Sequence, residues 1–186
     1  MTHPELYLLR HGETEWNAEG RMQGWLNSPL TEKGHMDAAR QFEILRGRDL
    51  TGFQVLCSPT GRAFQTAAIA LGTLVAEIRT DDRLREIGVG DWSGRLRSDL
   101  PMEDGPDAYL RKYDAAPGGE GMEGLRARVS GFLEGLDRPS VLVSHGITIR
   151  MIRLLLAGDE AARAPAPDAG QGVVFHLKDG VQSLLR

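Results

Sequence analysis

The sequence has a single cysteine, no long uncharged apolar run and no excess of basic residues. Because Cys57 has no partner for an internal disulfide, a disulfide scaffold is excluded and a reducing compartment is favoured. The most apolar late segment, residues 141–158, includes Arg150 and Arg153 and is too short and too charged to span a bilayer. The first residues lack the basic and apolar regions of a secretory signal. We therefore expect a soluble, cytoplasmic protein with no membrane partner.

The charge balance is acidic. Lys and Arg number 22 against 26 Asp and Glu, which gives a formal net charge of −4. A dedicated nucleic-acid-binding protein is usually basic, so no nucleic-acid partner is expected. The 186 residues, 41% of them hydrophobic, suffice for one domain with a substantial core and exclude a collagen-like, coiled-coil or wholly disordered chain. We expect one domain over residues 1–186.

Strand and helix patterns alternate along the chain. Short apolar runs predict buried strands, at 6–9, 53–57 and 140–144, with a shorter strand at 77–80 and two strands joined by a turn within 173–185. Amphipathic or capped segments predict helices, at about 32–46, 61–74, 106–113, 122–136 and 148–156. Gly, Pro and polar residues predict loops at 17–30 and, as a mobile loop, at 158–172. This alternation predicts a three-layer α/β/α sandwich with a mostly parallel sheet, in which strand 173–177 or its partner runs antiparallel.

Three of the predicted strands are followed within a few residues by side chains that carry or can carry positive charge. Arg10 and His11 follow the first strand, Arg62 lies shortly after the second, and His145 follows the strand at 140–144. Ligands of open parallel sheets bind outside the carboxyl ends of the strands, so these side chains would converge if the strands are neighbours. Two guanidinium groups and two imidazoles would form a compact pocket for a phosphate group.

Other local features agree with a phosphate ligand and disagree with a metal. Backbone N–H groups at the helix starts near Arg62 and Thr148 favour anions, and Gly12 and Gly146 would let a ligand approach the backbone. The five histidines show none of the spacings typical of zinc sites, and the two arginines would repel a cation. We predict no metal site and no cofactor.

Six segments, taken together, resemble one known family. They are residues 10–17, 30–34, 58–67, 84–94, 117–120 and 143–146, beginning with the sequence RHGETEWN. In this order they resemble the histidine phosphatase superfamily, in its phosphoglycerate-mutase-like branch, over nearly the whole chain. The overall pattern is similar to α-ribazole phosphatases and to broad-specificity phosphatases.

The resemblance implies a phosphohistidine mechanism without a metal. His11 would be the nucleophile, while Arg10, Arg62 and His145 would bind the phosphoryl oxygens. Glu86 would protonate the leaving alcohol and then activate water, although four other acids lie in the same region: Asp81, Asp82, Glu103 and Asp104. The implied substrate-binding residues are Thr14, Asn17, Gln23, Gly24 and Gly146. Glu120 is either a helix-start acid or a ligand.

The length of the segment after Glu86 bears on the reaction type. The resemblance implies that mutases of the family combine the same core with a longer, basic insertion after the acid-bearing segment. In this chain residues 88–119 instead form a short insertion of mixed charge. We therefore predict a phosphatase in which this segment is a lid, with Trp92, Tyr109 and Tyr113 as apolar contacts of the substrate. The alternatives are a phosphoglycerate mutase-type phosphoryl transferase and a non-catalytic phosphate-binding module. The expected partner is a small phosphorylated metabolite, and the sequence is compatible with a homodimer.

Overall fold

A computed structural model of the chain describes residues 3–101, 108–163 and 170–186. Within them, six strands form one sheet of spatial order β3-β2-β4-β1-β5-β6. The strands are β1 (Leu6–Arg10), β2 (Gln54–Cys57), β3 (Arg79–Thr80), β4 (Ser140–Ser144), β5 (Val174–Lys178) and β6 (Val181–Leu185). The pairs β3–β2, β2–β4 and β4–β1 are parallel, and β5 pairs antiparallel with both β1 and β6. The predicted mostly parallel sheet with an antiparallel strand near the C terminus is confirmed.

Helices cover both faces of the sheet. They are α1 (Glu15–Ala18), α2 (Glu32–Leu45), α3 (Gly61–Leu71), α4 (Ala108–Arg111), α5 (Gly121–Glu134) and α6 (Gly146–Arg163). Alternate residues of β1 point to opposite faces, as the two-residue period of a strand requires. Leu6 and Leu8 enter a core with α5 and α6, whereas Tyr7 and Leu9 enter a second core with α2 and α3. The predicted three-layer sandwich is therefore observed.

Two segments predicted as loops contain helix. Within 17–30 the short helix α1 extends to Ala18, because Thr14 and Asn17 form a reciprocal capping box that the composition did not reveal. Within 158–172 helical structure continues to Arg163, interrupted at Gly158, whose φ of 83° only glycine adopts readily. Of the rest of that predicted mobile loop, residues 164–169 lie outside the described residues and 170–172 are described.

The segment after Glu86 was predicted to supply three aromatic side chains as apolar contacts of the substrate. Trp92 and Tyr113 are buried, each 4% exposed, and belong to the core beside α5 and α6. These two contacts were predicted wrongly, since large aromatic side chains gain most free energy by full burial. The side chain of Tyr109 and residues 102–107 lie outside the described part. In the described ranges, no helix combines the length and apolarity needed to cross a membrane.

Candidate active site

The carboxyl ends of β2, β4 and β1 lie side by side and build the floor of one site. β4 is paired with both neighbours, and the chain continues this pairing past the strands. The backbone N–H of His11 donates to Ser144 O at 3.0 Å, and that of Ser58 donates to Val143 O at 2.9 Å. The residues that follow the three strands are therefore held together by the sheet itself.

His11 is buried and its tautomer is defined by its two neighbours. Its Nδ1 lies 2.7 Å from Gly12 O, which can only accept, so Nδ1 carries the proton. Arg62 Nε donates to His11 Nε2 at 3.3 Å, so Nε2 holds the lone pair. Burial first, and then the charges of Arg62 and Arg10, lower the pKa of His11 well below its ordinary value. The ring is therefore neutral at neutral pH and presents a nucleophilic nitrogen.

Arg62 is 1% exposed and is oriented by backbone carbonyl groups. Its Nη2 donates to Gly24 O at 2.8 Å, and its Nη1 donates to Leu26 O. Burial lowers the pKa of Arg62 to about 10, and the guanidinium remains charged at neutral pH. Gly24, predicted to bind substrate, therefore orients a cation through its carbonyl oxygen.

His145 lies beside His11, with 5.1 Å between the ring centroids. Its Nε2 is 2.8 Å from Ser58 Oγ and 3.3 Å from Thr60 Oγ1. Burial first, and then the charges of Arg62 and Arg10, lower the pKa of His145 well below its ordinary value. The buried Nδ1 has no hydrogen-bond partner among the described residues, and a phosphoryl oxygen could satisfy it. Ser58 and Thr60 belong to a recognised motif, but their role in orienting His145 was not predicted.

Three predicted substrate-binding residues are connected to one another. Thr14 Oγ1 accepts from the backbone N–H of Asn17 at 3.2 Å and from Gln23 Nε2 at 2.8 Å. Asn17 Oδ1 in turn accepts from the backbone N–H of Thr14 at 3.2 Å and from Gln171 Nε2 at 3.3 Å. Because its oxygen is used in this way, Asn17 can offer only its amide N–H groups to a ligand. Gln171, which also donates to His11 O at 3.4 Å, was not predicted.

The two glycines expected to admit a ligand have different surroundings. A Cβ on Gly12 would lie 2.1 Å from Gly34 O, so this glycine is needed for the close approach of α2. Gly34 has the same requirement, since its Cβ would lie 2.0 Å from Glu13 O. Gly146 instead lies against Arg10, whose guanidinium carbon would be 3.4 Å from a Cβ at that position. Gly146 thus leaves room for a predicted phosphate-binding side chain.

Glu86 lies in a loop against the N-terminus of α6, and its carboxylate accepts hydrogen bonds from four donor groups. Oε1 accepts from the backbone N–H groups of Ile87 and Thr148, both at 3.0 Å, and from Thr148 Oγ1 at 3.1 Å. Oε2 accepts from the backbone N–H of Ile147 at 3.2 Å. These donors and the helix N-terminus hold a carboxylate close to the site.

The other acids of this region are used differently or are not described. Asp81 pairs with Arg83 at 2.7 Å and Asp82 pairs with Arg85 at 2.8 Å. Residues 103 and 104 lie outside the described part of the chain. Among the acids described in this segment, the contacts of Glu86 with the start of α6 distinguish it as the candidate acid.

Arg128 on α5 holds the segment that carries Glu86. Its Nη1 donates to Arg83 O at 2.6 Å and to Arg85 O at 3.0 Å, and its Nη2 donates to Glu86 O at 3.3 Å. Its Nε and Nη2 also bind the two oxygens of Glu120, at 2.6 and 2.8 Å. Glu120 is an acid at a helix start, as one of the two predictions had it, because it is the N-cap residue of α5. Its side chain makes no cap hydrogen bond, and its Oε2 instead accepts from the backbone N–H of Gly88 at 3.1 Å. The Arg128–Glu120 pair therefore acts as a clamp around residues 83–88.

Replacing Arg128 with methionine is expected to lower kcat about tenfold or more, because small displacements of a catalytic group are costly. Arg126→Met is the matched control, since Arg126 is an exposed arginine on the same helix. Steady-state kinetics with an alkyl phosphate would measure the effect. A variant with wild-type kcat would show that the clamp does not position Glu86.

The lowered pKa values of His11 and His145 predict loss of stability in acid. Below the ordinary histidine pKa the unfolded chain binds protons at both positions and the folded chain does not. The free energy of unfolding should therefore fall as pH drops below about 6.5, by up to about 1.4 kcal/mol per pH unit for each histidine. Urea unfolding between neutral pH and about pH 5 measures this slope. His145→Gln should reduce this slope, whereas His35→Gln, at an exposed position, should not. Equal slopes in the wild-type protein and the two variants would contradict a lowered pKa of His145.

The described residues contain no group of three or more His, Cys, Asp or Glu side chains that could hold a metal ion. What the site does offer is two neutral imidazoles, the guanidinium groups of Arg10 and Arg62, and the carboxylate of Glu86, whose charge acts on Arg62. This set of groups is suited to phosphoryl transfer through charge stabilisation by arginine.

Known proteins share both the sequence pattern and the fold. A protein named "Probable phosphoglycerate mutase GpmB" from Salmonella paratyphi C is 38% identical over 156 residues, which cover 78% of this chain and 71% of the relative. The structure of YhfR from Bacillus stearothermophilus is 29% identical, with a TM-score of 0.78 over 97% of this chain and 95% of that one. An Escherichia coli protein assigned provisionally as an α-ribazole-5′-P phosphatase is 28% identical, with a TM-score of 0.77 over 99% and 95% of the two chains.

The family model for the histidine phosphatase superfamily, branch 1, matches residues 6–183 and so includes each of the predicted site residues. Together with the sheet topology and the pocket around His11, this match shows that the chain belongs to the histidine phosphatase superfamily.

Proposed function

We propose that the protein is a metal-independent phosphomonoesterase that acts through a phosphohistidine on a small phosphorylated metabolite. The observation that carries this proposal is the state of His11. Its Nδ1 proton is held by Gly12 O, so the lone pair lies on Nε2, where it accepts a long hydrogen bond of 3.3 Å from Arg62 Nε. The substrate must displace this hydrogen bond before Nε2 attacks. A neutral imidazole in a buried cationic pocket is suited to attack on phosphorus.

In the first step, His11 Nε2 attacks phosphorus in line with the ester bond. The N–P bond forms as the P–O bond to the alcohol breaks, and the leaving oxygen takes its electron pair and a proton from Glu86. Arg10, Arg62 and His145 Nδ1 stabilise the charge on the phosphoryl oxygens. Glu86 enters this step with its carboxyl group protonated.

In the second step, the Glu86 carboxylate takes a proton from water while the water oxygen attacks phosphorus. The N–P bond breaks, phosphate leaves, and the lone pair of His11 Nε2 is restored. Glu86 ends the cycle protonated, as it began. Between the two steps Glu86 is a carboxylate, and the N–H donors that surround its oxygens in the structure suit that form.

The hydrogen bonds that Arg128 already makes within the protein favour hydrolysis over a mutase reaction. A mutase must hold a second anionic group of its substrate beside the reacting phosphate. All five N–H groups of Arg128 are already directed at Glu120 or at the carbonyls of residues 83, 85 and 86. It therefore has no donor left for a second anion. Mutase-type transfer remains the second candidate, supported by the name of the 38%-identical relative.

The test is phosphate release in EDTA from a panel of phosphate monoesters: an aryl phosphate, nucleotides, sugar phosphates, α-ribazole phosphate and 3-phosphoglycerate. A parallel assay follows interconversion of phosphoglycerates. EDTA-resistant release supports the proposal. Interconversion without release would favour a mutase, and a stable phosphoprotein that does not turn over would favour a phosphate-binding module.

A further inference from the structure

A cleft of about 570 Å³ lies beside the candidate site. Trp25, Leu26 and Val89 line it, together with backbone at residues 88, 90, 118 and 119 and the Glu120–Arg128 pair. This volume lies in the range of small-molecule sites, which are commonly apolar with few polar groups.

Two walls of the cleft are the segments that hold the catalytic side chains. On one wall, the carbonyls of Gly24 and Leu26 accept from Arg62. On the other, residues 88–90 follow Glu86 directly, and Trp25 Nε1 donates to Glu86 O at 2.9 Å across the gap. Glu86 is the group proposed to protonate the leaving oxygen, and the cleft borders the residues that follow it in the chain, so the cleft is a described space into which the rest of the leaving alcohol can extend.

The lining offers a flat apolar surface. Trp25 is 53% exposed, which is unusual for so large an apolar side chain, and Leu26 is 49% exposed. The indole ring lies against Gly88, where a Cβ would be 3.3 Å from two of the ring carbons. This packing holds the indole in place while leaving half of the side chain accessible to a ligand. Aromatic rings bind other rings by stacking or by edge contacts.

The charges in the cleft are already neutralised by the protein. Arg128 and Glu120 pair at 2.6 Å, and their side chains are only 18% and 13% exposed. Because all five N–H groups of Arg128 are used within the protein, its guanidinium cannot bind a carboxylate of a ligand, and the negative charge of Glu120 would repel one. The lining therefore disfavours a leaving group that carries a second anion.

We propose that this cleft binds the leaving group, and that the preferred substrates are phosphate esters of uncharged alcohols that carry a planar ring. This inference rests on the proposed phosphatase function and specifies its substrate class. Trp25 is the specificity-determining residue.

The experiment compares kcat/KM for 2-phenylethyl phosphate, n-propyl phosphate and 3-phosphoglycerate with the wild-type protein. The first two are esters of primary alcohols, so their comparison isolates the ring from the reactivity of the ester. We expect the ring-bearing ester to be preferred over n-propyl phosphate by about tenfold or more, as burial of a ring allows. Turnover of 3-phosphoglycerate should be the slowest.

Two substitutions of Trp25 separate recognition of the ring from support of Glu86. Trp25→Ala should remove most of the ring preference while changing turnover of n-propyl phosphate much less. Trp25→Phe keeps an aromatic ring but loses the N–H bond to Glu86 O, and should retain the preference. Val181→Ala is the control, because Val181 is 68% exposed and pairs with Lys178 at the opposite end of the sheet from His11.

The outcomes distinguish this inference from the proposed function. Hydrolysis of all three esters without a ring preference would overturn the inference alone. Equal losses with both alkyl esters in Trp25→Ala would also overturn it, by showing that Trp25 acts only through Glu86. Absence of phosphate release from every ester, with no phosphohistidine formed, would overturn the phosphatase function and the inference with it.

Discussion

Replacing His11 with alanine is expected to abolish phosphate release and phosphoenzyme formation together. The imidazole supplies the atom that attacks the substrate in the first step of the proposed mechanism, and removal of a nucleophile commonly lowers kcat by about 10⁴-fold or more. The pocket that binds phosphate would still contain Arg62, whose guanidinium is held by Gly24 O and Leu26 O as well as by His11. Substrate should therefore still bind to the variant. The measurement is kcat for the best ester, together with alkaline quenching to retain the acid-labile phosphohistidine.

His35→Ala is the matched control for this experiment, since His35 is an exposed histidine near the start of α2. It should retain wild-type kcat and phosphoenzyme. Residual activity of His11→Ala above a few per cent of wild type would remove His11 from the role of nucleophile. A phosphorylated histidine that persists in His11→Ala would place the nucleophile elsewhere.

Replacing Glu86 with glutamine is expected to have the second largest effect, and its size should depend on the leaving group. Glutamine cannot deliver the proton, so kcat for an alkyl phosphate should fall by about 10²- to 10⁴-fold. A nitrophenyl phosphate needs no such proton, because its phenolate leaves readily, and phosphorylation of His11 should remain fast. Since the second step also requires Glu86 as a base, phosphoenzyme should accumulate with the aryl ester. Rapid quenching would measure this accumulation.

Glu123→Gln is the control, because Glu123 is an exposed glutamate on α5. Glutamine at position 86 retains only one acceptor oxygen for the donors of Thr148, Ile147 and Ile87. Urea unfolding of the variant is therefore needed to show that the fold persists. Equal losses in the rate of His11 phosphorylation by the alkyl and the aryl ester, measured by rapid quenching, would contradict a role of Glu86 as the general acid and would leave it a positioning residue.

Much of the sheet and of its helices could be predicted from local pattern. The buried runs at β1, β2 and β4 and the cap of Thr31 on α2 depend on neighbouring residues only, and the structure shows each of them. The position of α1 was not predicted, because its capping box begins and ends within a polar segment that resembles a loop. Trp92 and Tyr113 were placed wrongly, because the sequence does not show whether an aromatic side chain near a site faces the ligand or the core.

The convergence of His11, Arg62 and His145 was also accessible from the sequence. Each follows a strand, and ligand sites of parallel sheets lie at the strand ends. The sequence did not reveal how these side chains are oriented. Ser58 orients His145 across 87 residues of chain, and Gly24 O orients Arg62 across 38.

The sequence by itself determined the α/β alternation, the membership in the family and the set of residues that meet at the strand ends. Only the tertiary structure decided what holds them, because the partners are largely backbone carbonyl and N–H groups. Arg128 donates to the carbonyls of residues 83, 85 and 86, and Trp25 donates to Glu86 O. Every residue has a carbonyl group, so such contacts leave no residue type or spacing that a sequence pattern could detect. They exist only once the folded chain has brought these distant segments together.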